Sequence, residues 1–203
     1  MLAGHAFKAR SATATNGDDS MKIRLATTDD IPVLHGLIAH SVRGLMSEEY
    51  TPEQLDRALG TLLGLDTQLI SDGTYFVAEV VNHGEPVVVA CGGWSKRETL
   101  FGSDHRAGRN SRLLIPEREP ARIRAFFVHP DWIRRGIGSR ILETCEQAAV
   151  DSGFRRLEMG ATLTGVPLYR ARGYIELERI DVPMSGRQSL TVIRMGKTIS
   201  TDR

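Results

Sequence analysis

Apolar residues recur at every second position in some stretches and at every third or fourth in others, and the switches between the two periods mark the elements. In residues 22–26, Ile23 and Leu25 alternate with basic neighbours, which predicts a first strand. Thr27, Thr28, Asp29 and Asp30 then offer caps to a helix carrying Ile31, Leu34, Leu37 and Ile38 on one face. Residues 41–50 read as a connector containing Gly44. Thr51-Pro52-Glu53-Gln54 opens a second helix, with Thr as N-cap, Pro at the first position, and Leu55, Leu59, Leu62 and Leu63 behind. Two β-branched runs, 74–81 and 86–94, flank Asn82-His83-Gly84-Glu85 and predict an antiparallel hairpin. Residues 97–120 have no period, and a connection of that length in a compact domain tends to be functional or mobile.

An Arg/apolar strand, 121–128, follows, and then a helix with Ile141, Leu142, Cys145, Ala148 and Ala149 at helical spacing and Gly153 as its stop. Next come a strand at 156–162, a short helix at 164–172 ended by Gly173, a strand at 174–182 and a last strand at 190–196. The order β-α-α-β-β-β-α-β-α-β-β predicts an α/β class fold, an α+β mixed sheet with helices on its faces. Residues 21–198 are expected to form one domain, 1–20 a disordered leader or tag rich in Ala, Ser, Thr, Gly and Asp, and 199–203 a C-terminal tail.

The junction of the 121–128 strand with the next helix carries the most chemistry. His129-Pro130-Asp131-Trp132 runs through Ile133 into Arg134-Arg135-Gly136-Ile137-Gly138-Ser139. Gly136 and Gly138 let the backbone turn tightly and approach a ligand, while the first amides of a helix have no carbonyl partner inside it. The pattern predicts an anion cradle, with the helix dipole and Ser139 favouring a phosphate and Arg134 and Arg135 charging its rim. The bland reading of the same residues is a glycine-rich turn with no ligand.

Composition narrows the partners. In 203 residues, 26 Lys+Arg face 25 Asp+Glu, a net charge of +1, which does not suggest a nucleic-acid or membrane-surface protein. Lys occurs only at 8, 22, 96 and 197, so the cationic groups are guanidiniums that suit carboxylate or phosphate, although genome composition explains Arg richness as well. Cys91 and Cys145 fall at apolar positions and read as reduced core residues, and no apolar run approaches the ~20 residues of a membrane span. A cytoplasmic protein is expected. The six histidines lack metal-ligand spacing, so no metal is inferred. His129 and Trp132 read as a turn residue and a packing residue.

With these residues in place, the chain resembles the GNAT superfamily of acyl-CoA-dependent N-acyltransferases over essentially all of 21–198. The family's cofactor motif is Gln/Arg-x-x-Gly-x-Gly/Ala; its glycines are Gly136 and Gly138 here, its first position is Ile133, and Arg134 sits one place later. Leu168-Tyr169-Arg170-Ala171-Arg172-Gly173-Tyr174 is similar to the family's Leu/Phe-Tyr-x-x-x-Gly-Phe/Tyr. The Asn that many members place seven residues before that Tyr is Thr162, and the Ala four before it is Gly165.

The resemblance implies acetyl transfer from acetyl-CoA to a primary amine of an unidentified small molecule, peptide or protein, by direct attack in a ternary complex. Pantetheine would pair with the backbone of Phe127 and Val128 where parallel strands part, with Thr162 as a further contact and an amide near Val128 stabilising the oxyanion. Tyr169 is the candidate proton donor to the departing thiolate, or else a phenol that only orients the cofactor. Where members that use a carboxylate or histidine base often place it, this chain has Arg122 and Arg124, which cannot accept a proton. The base is then Glu79, Asp104, His105, Glu119 or ordered water. Arg122 and Arg124 lie two apart on one side of a strand and, with Arg43, are candidates to clamp an acid group of the acceptor; the alternative pairs them with Glu79 or Glu158. The resemblance admits a homodimer. Two rival readings stand beside the enzyme: a non-catalytic acyl-CoA sensor, and a nucleotide site, which lacks both Gly-x-x-x-x-Gly-Lys-Ser/Thr and Gly-x-Gly-x-x-Gly.

Overall fold

The structure, a computed structural model, describes residues 21–199. The expectations for 1–20 and for the tail beyond Ile199 lie outside the described residues. In chain order the elements are β1 (Lys22–Leu25), α1 (Ile31–Leu45), α2 (Pro52–Ala58), α3 (Thr67–Ser71), β2 (Tyr75–Asn82), β3 (Glu85–Ser95), β4 (Ala121–Val128), α4 (Ile137–Asp151), β5 (Arg156–Thr162), α5 (Val166–Ala171), β6 (Ile175–Pro183) and β7 (Ser189–Thr198). The seven strands form one mixed sheet in the order β1-β2-β3-β4-β5-β7-β6.

Two hydrophobic layers sandwich the sheet. On one face α4 buries Ile137, Ile141, Leu142, Cys145 and Ala149 against the strands; on the other α1 buries Leu34, Leu37, Ile38 and Val42. Their spacing is that of a helix with one apolar stripe. The β2–β3 hairpin turns on His83 and Gly84, both at positive φ (51° and 89°), as a tight two-residue connection requires.

Three local expectations change. Helix α1 continues through Leu45, so Gly44 lies inside it; Pro130 packs there, and a Cβ on Gly44 would fall 2.5 Å from its ring. Helix α2 stops at Ala58, because Leu59 leaves helical backbone (ψ 131°) and Gly60 takes φ +80°, so Leu62 and Leu63 lie beyond it. The short helix α3, capped by the Asp66 carboxylate, is added between α2 and β2.

Among the described residues, strands β4 and β5 are the only parallel neighbours, and they pair only at Ala121↔Leu157 and Arg122↔Glu158. Past those positions they part. On its other edge β4 carries a bulge: Cys91 pairs with Phe127 and Gly93 with Arg124, leaving Ala125 and Phe126 opposite the single Gly92. Ala125 sits at φ 54°, and Tyr75, fully buried beneath it, donates its hydroxyl to the Ala125 carbonyl at 2.9 Å. Gly92 has no room for a Cβ, which would lie 2.7 Å from the Phe126 ring.

Candidate active site

The parting of β4 from β5 opens a cleft of about 70 Å³, walled by Phe101, Arg124, Phe126, Gly160, Thr162 and Tyr169 among others. Crevices of this kind form beyond the carboxyl ends of parallel strands, where neighbouring backbones diverge. Tyr169 stands on α5 with 7% of its surface exposed, edge-on to Phe126 and Tyr174. Gly165 makes its place: a Cβ there would lie 3.0 Å from the Tyr169 ring and 3.4 Å from Thr162 Oγ1. Burial raises the Tyr169 phenol above its ordinary 10.0, so it stays protonated through the neutral range.

The strand-to-helix turn has the form the sequence predicts for an anion cradle. Arg134 and Gly136 both take positive φ (61° and 75°), with Gly136 as the left-handed N-cap of α4. Arg140 N–H bonds back to the Gly136 carbonyl at 3.1 Å, and among the described residues the amides of Arg134, Arg135, Gly136, Ile137, Gly138 and Ser139 have no backbone acceptor. Such donors at a helix start suit a diphosphate. Arg135 stacks over Trp132 at 4.4 Å and reaches the Asp131 carbonyl, which fixes it at the rim, while Arg134 is exposed. Arg172, which the sequence reading passed over, donates to Ser139 Oγ at 3.1 Å and pairs with Glu143 at 2.6 Å, adding a third guanidinium beside the cradle. Its signal was its place just past α5, which only the packing of α5 on α4 brings to Ser139.

Thr162 and Tyr169 wall the cleft; residues 134–139 lie outside that wall and adjoin it through Val128 and Leu168, which would lie 3.6 and 3.4 Å from a Cβ on Gly138. Phe127 walls the cleft and holds the β3 side of β4 by its pairing with Cys91. The Val128 amide is not open to an oxyanion, because it is bonded to Ser41 Oγ of α1 at 3.2 Å.

Arg122 and Arg124 share a side of β4 and are both committed to internal partners. Arg122 pairs with Glu158 at 2.7 Å, and Glu158 also binds Arg194. Arg124, 4% exposed, pairs with buried Asp66 at 2.8 Å and donates to the carbonyls of Thr99 and Gly102; burial brings its pKa down to about 10. Arg43 lies apart from both, paired with Asp56 at 3.2 Å in a shallow recess with His40 and Pro130. The three do not form one clamp.

None of the named base candidates walls the cleft. Glu79 is tied to Arg24 at 2.7 Å, Asp104 accepts from the Thr67 amide at 3.0 Å, and Glu119 is held by Arg112, whose hydrogen bond brings its carboxyl down to about 2. His105 is exposed on the 97–120 loop. Among the described residues no group of three His, Cys, Asp or Glu side chains is placed to hold a metal, and no helix is long and apolar enough to cross a membrane.

A family model described as Acetyltransferase (GNAT) family matches residues 39–174, which span the cleft, the cradle and α5. The chain belongs to that family, and is by that membership an acyl-CoA-dependent N-acetyltransferase. Solved structures share its fold at low identity. A GCN5-related N-acetyltransferase from Rhodopseudomonas palustris is 19% identical, with 89% of this chain and 97% of that one covered and a TM-score of 0.63. The PaiA N-acetyltransferase from Thermoplasma acidophilum, solved with coenzyme A, is 13% identical over 88% and 99% of the two chains, with a TM-score of 0.56. A ribosomal-protein-alanine N-acetyltransferase from Brucella melitensis is 19% identical over 88% and 99%, also with a TM-score of 0.56. No curated protein matches the sequence.

Proposed function

We propose that the chain moves the acetyl group of acetyl-CoA to a primary amine by direct attack within a ternary complex. The observation that carries this reading is the run of unpartnered amides at 134–139 beside a cleft that ends on a protonated, buried phenol. The amides of the cradle bind the diphosphate, and the open edge of β4 near Phe127 and Val128 takes the pantetheine arm, with Thr162 at the facing end of β5. The relative solved with coenzyme A supports the same placement by its fold.

The acceptor nitrogen adds to the thioester carbonyl carbon, the carbon–sulfur bond breaks, and the sulfur leaves with the proton of the Tyr169 hydroxyl. Because the Val128 amide is taken by Ser41, the amide of Phe126 at the bulge is assigned to the oxyanion. With no carboxylate or imidazole on the wall, the acceptor reacts as the free amine and its surplus proton leaves to water, from which Tyr169 is restored. Two reduced, buried cysteines fit a cytoplasmic setting.

The bare cleft wall is also what favours the sensor reading. Thiol release from acetyl-CoA across a panel of amines separates the two: amine-dependent release is expected here. Tight acetyl-CoA binding by calorimetry with no amine-dependent release would sustain the sensor instead.

A further inference from the structure

The wall of the cleft opposite the cradle is short of one anion. The 97–120 loop is pinned over the α2–α3 connection by Ser103, whose hydroxyl donates to Gly60 and Thr61 carbonyls at 2.6 and 2.8 Å. The same loop lays Phe101 on β5, where a Cβ at Gly160 would fall 2.6 Å from its ring. Behind Phe101 the loop and β4 gather three guanidiniums, those of Arg106, Arg109 and Arg124. Asp66, with no exposed surface, serves two of them, Arg109 at 2.6 Å and Arg124 at 2.8 Å. Among the described residues the only other carboxylate in contact is Asp104, 3.6 Å from Arg109 and already accepting from the Thr67 amide.

Arg106 has no carboxylate partner among the described residues. Its guanidinium lies over the Phe101 ring at 4.2 Å, and its Nη1 is buried with no hydrogen-bond acceptor, as is Nη1 of Arg109. Buried donors are almost always satisfied in native proteins. Nη1 of Arg109 at least faces Asp104 Oδ1 at 3.6 Å, so it is the Arg106 orphan, which faces no carboxylate among the described residues, that points to an acceptor arriving with a ligand. Phe101, Gly102 and Arg124 wall the cleft, and the Arg106 stem lies against Gly102. Arg106 is not itself on that wall, so meeting a ligand there requires its guanidinium to leave the Phe101 ring.

We infer that the amine acceptor carries a carboxylate, and that Arg106, with Arg109 behind it, receives that carboxylate beside Phe101. A guanidinium offers paired N–H groups in a plane that matches a carboxylate. The role sought among Arg122, Arg124 and Arg43 thus falls to a loop arginine, because Glu158 and Asp66 already neutralise the two on β4. The inference rests on the acetyltransfer reading and deepens it.

The test compares α-, β- and γ-amino acids with the matching amines lacking the acid or carrying it as a methyl ester. Wild type is expected to favour at least one free acid over its neutral partner by tenfold or more in kcat/KM. Arg106→Ala should erase that preference by raising KM for the acid, with kcat on the neutral amine and KM for acetyl-CoA unchanged, and Arg106→Lys should restore part of it. A wild type indifferent to the acid, or an equal loss on both partners in Arg106→Ala, overturns the inference. Calorimetry of CoA-saturated protein with the amino acids and their N-acetyl products reads binding apart from turnover. Acid binding that depends on Arg106 without any turnover keeps the carboxylate site but sinks the transferase reading, whereas amine-dependent turnover with acid binding indifferent to Arg106 overturns the inference and leaves that reading standing.

Discussion

Burial decides what Tyr169 can do. Its phenol, raised above the ordinary 10.0 by desolvation, is held neutral, so it has a proton to give across the working range and cannot serve as a base. The sign for pH follows: deprotonation would begin only above about 10, and the rate should climb with pH as the acceptor amine loses its proton. A kcat–pH profile of wild type is expected to show no descending limb below pH 10. Tyr169→Phe should lower kcat by about 10²–10⁴-fold while acetyl-CoA affinity holds. A falling limb near neutrality would remove the phenol from the acid role.

A second residue-scale expectation concerns the bulge. Ala125 at φ 54° is strained by about 1–2 kcal/mol for a residue with a Cβ, and the Tyr75 hydroxyl holds its carbonyl in that conformation. Tyr75→Phe should therefore depress kcat with little change in acetyl-CoA affinity. Ala125→Gly on that background should recover part of the rate, since glycine adopts positive φ without the clamp. Steady-state kinetics of the single and double variants check this, and a double variant no faster than Tyr75→Phe would show that the clamp does not govern the site. The glycines of the turn could be read from type and spacing, and Tyr169 from the resemblance of 168–174 to the family's motif. Arg106 could not, because its meaning lies in the partners it lacks.

At the level of elements, the connection between α1 and α2 is anchored far along the chain. Tyr50 donates to the Thr191 carbonyl of β7 at 2.7 Å and accepts from the Leu163 amide at 2.8 Å, tying that connection to the turn that leads into α5. Burial carries its phenol up to about 12, so both bonds persist through the neutral range. Tyr50→Phe should cost about 1–3 kcal/mol, because it leaves a half-buried amide and a half-buried carbonyl without their partner. Urea unfolding should show this as a lower midpoint at constant slope; an unchanged midpoint would mean that water replaces the hydroxyl. Helical spacing announced α1 and α4, and alternation or β-branched runs announced the seven strands. Helical spacing overran α2, where Leu62 and Leu63 continue the apolar spacing but Gly60 has already turned the chain. It missed α3, whose five residues are too few to display a period.

For the molecule as a whole, binding at the cradle should couple to global stability, because the cradle joins β4 to α4 and α5 through Val128, Leu168 and Arg172. A ligand at a hundredfold excess over Kd adds about 2.7 kcal/mol, which for a domain of this size raises Tm by roughly 5–10 °C. Acetyl-CoA is expected to give that shift in a thermal melt, and NAD is not. Equal shifts with both would return the cradle to the nucleotide reading.

The sequence by itself determined the α/β class, the element order apart from α3, and the glycine turn at 134–139, because each is written in local spacing or in residue types that few backbone conformations admit; Tyr169 came to notice only through the resemblance to the family. Tertiary structure alone decided that β7 inserts between β5 and β6, that β4 parts from β5 after two paired positions, and that Ser41 occupies the Val128 amide. It also decided which arginines are neutralised: Asp66 and Glu158 meet Arg124 and Arg122 across gaps of many residues, and Arg106 is left over. Spacing along a chain carries conformation, whereas the charge balance of a wall depends on which distant groups the fold brings within a few ångströms.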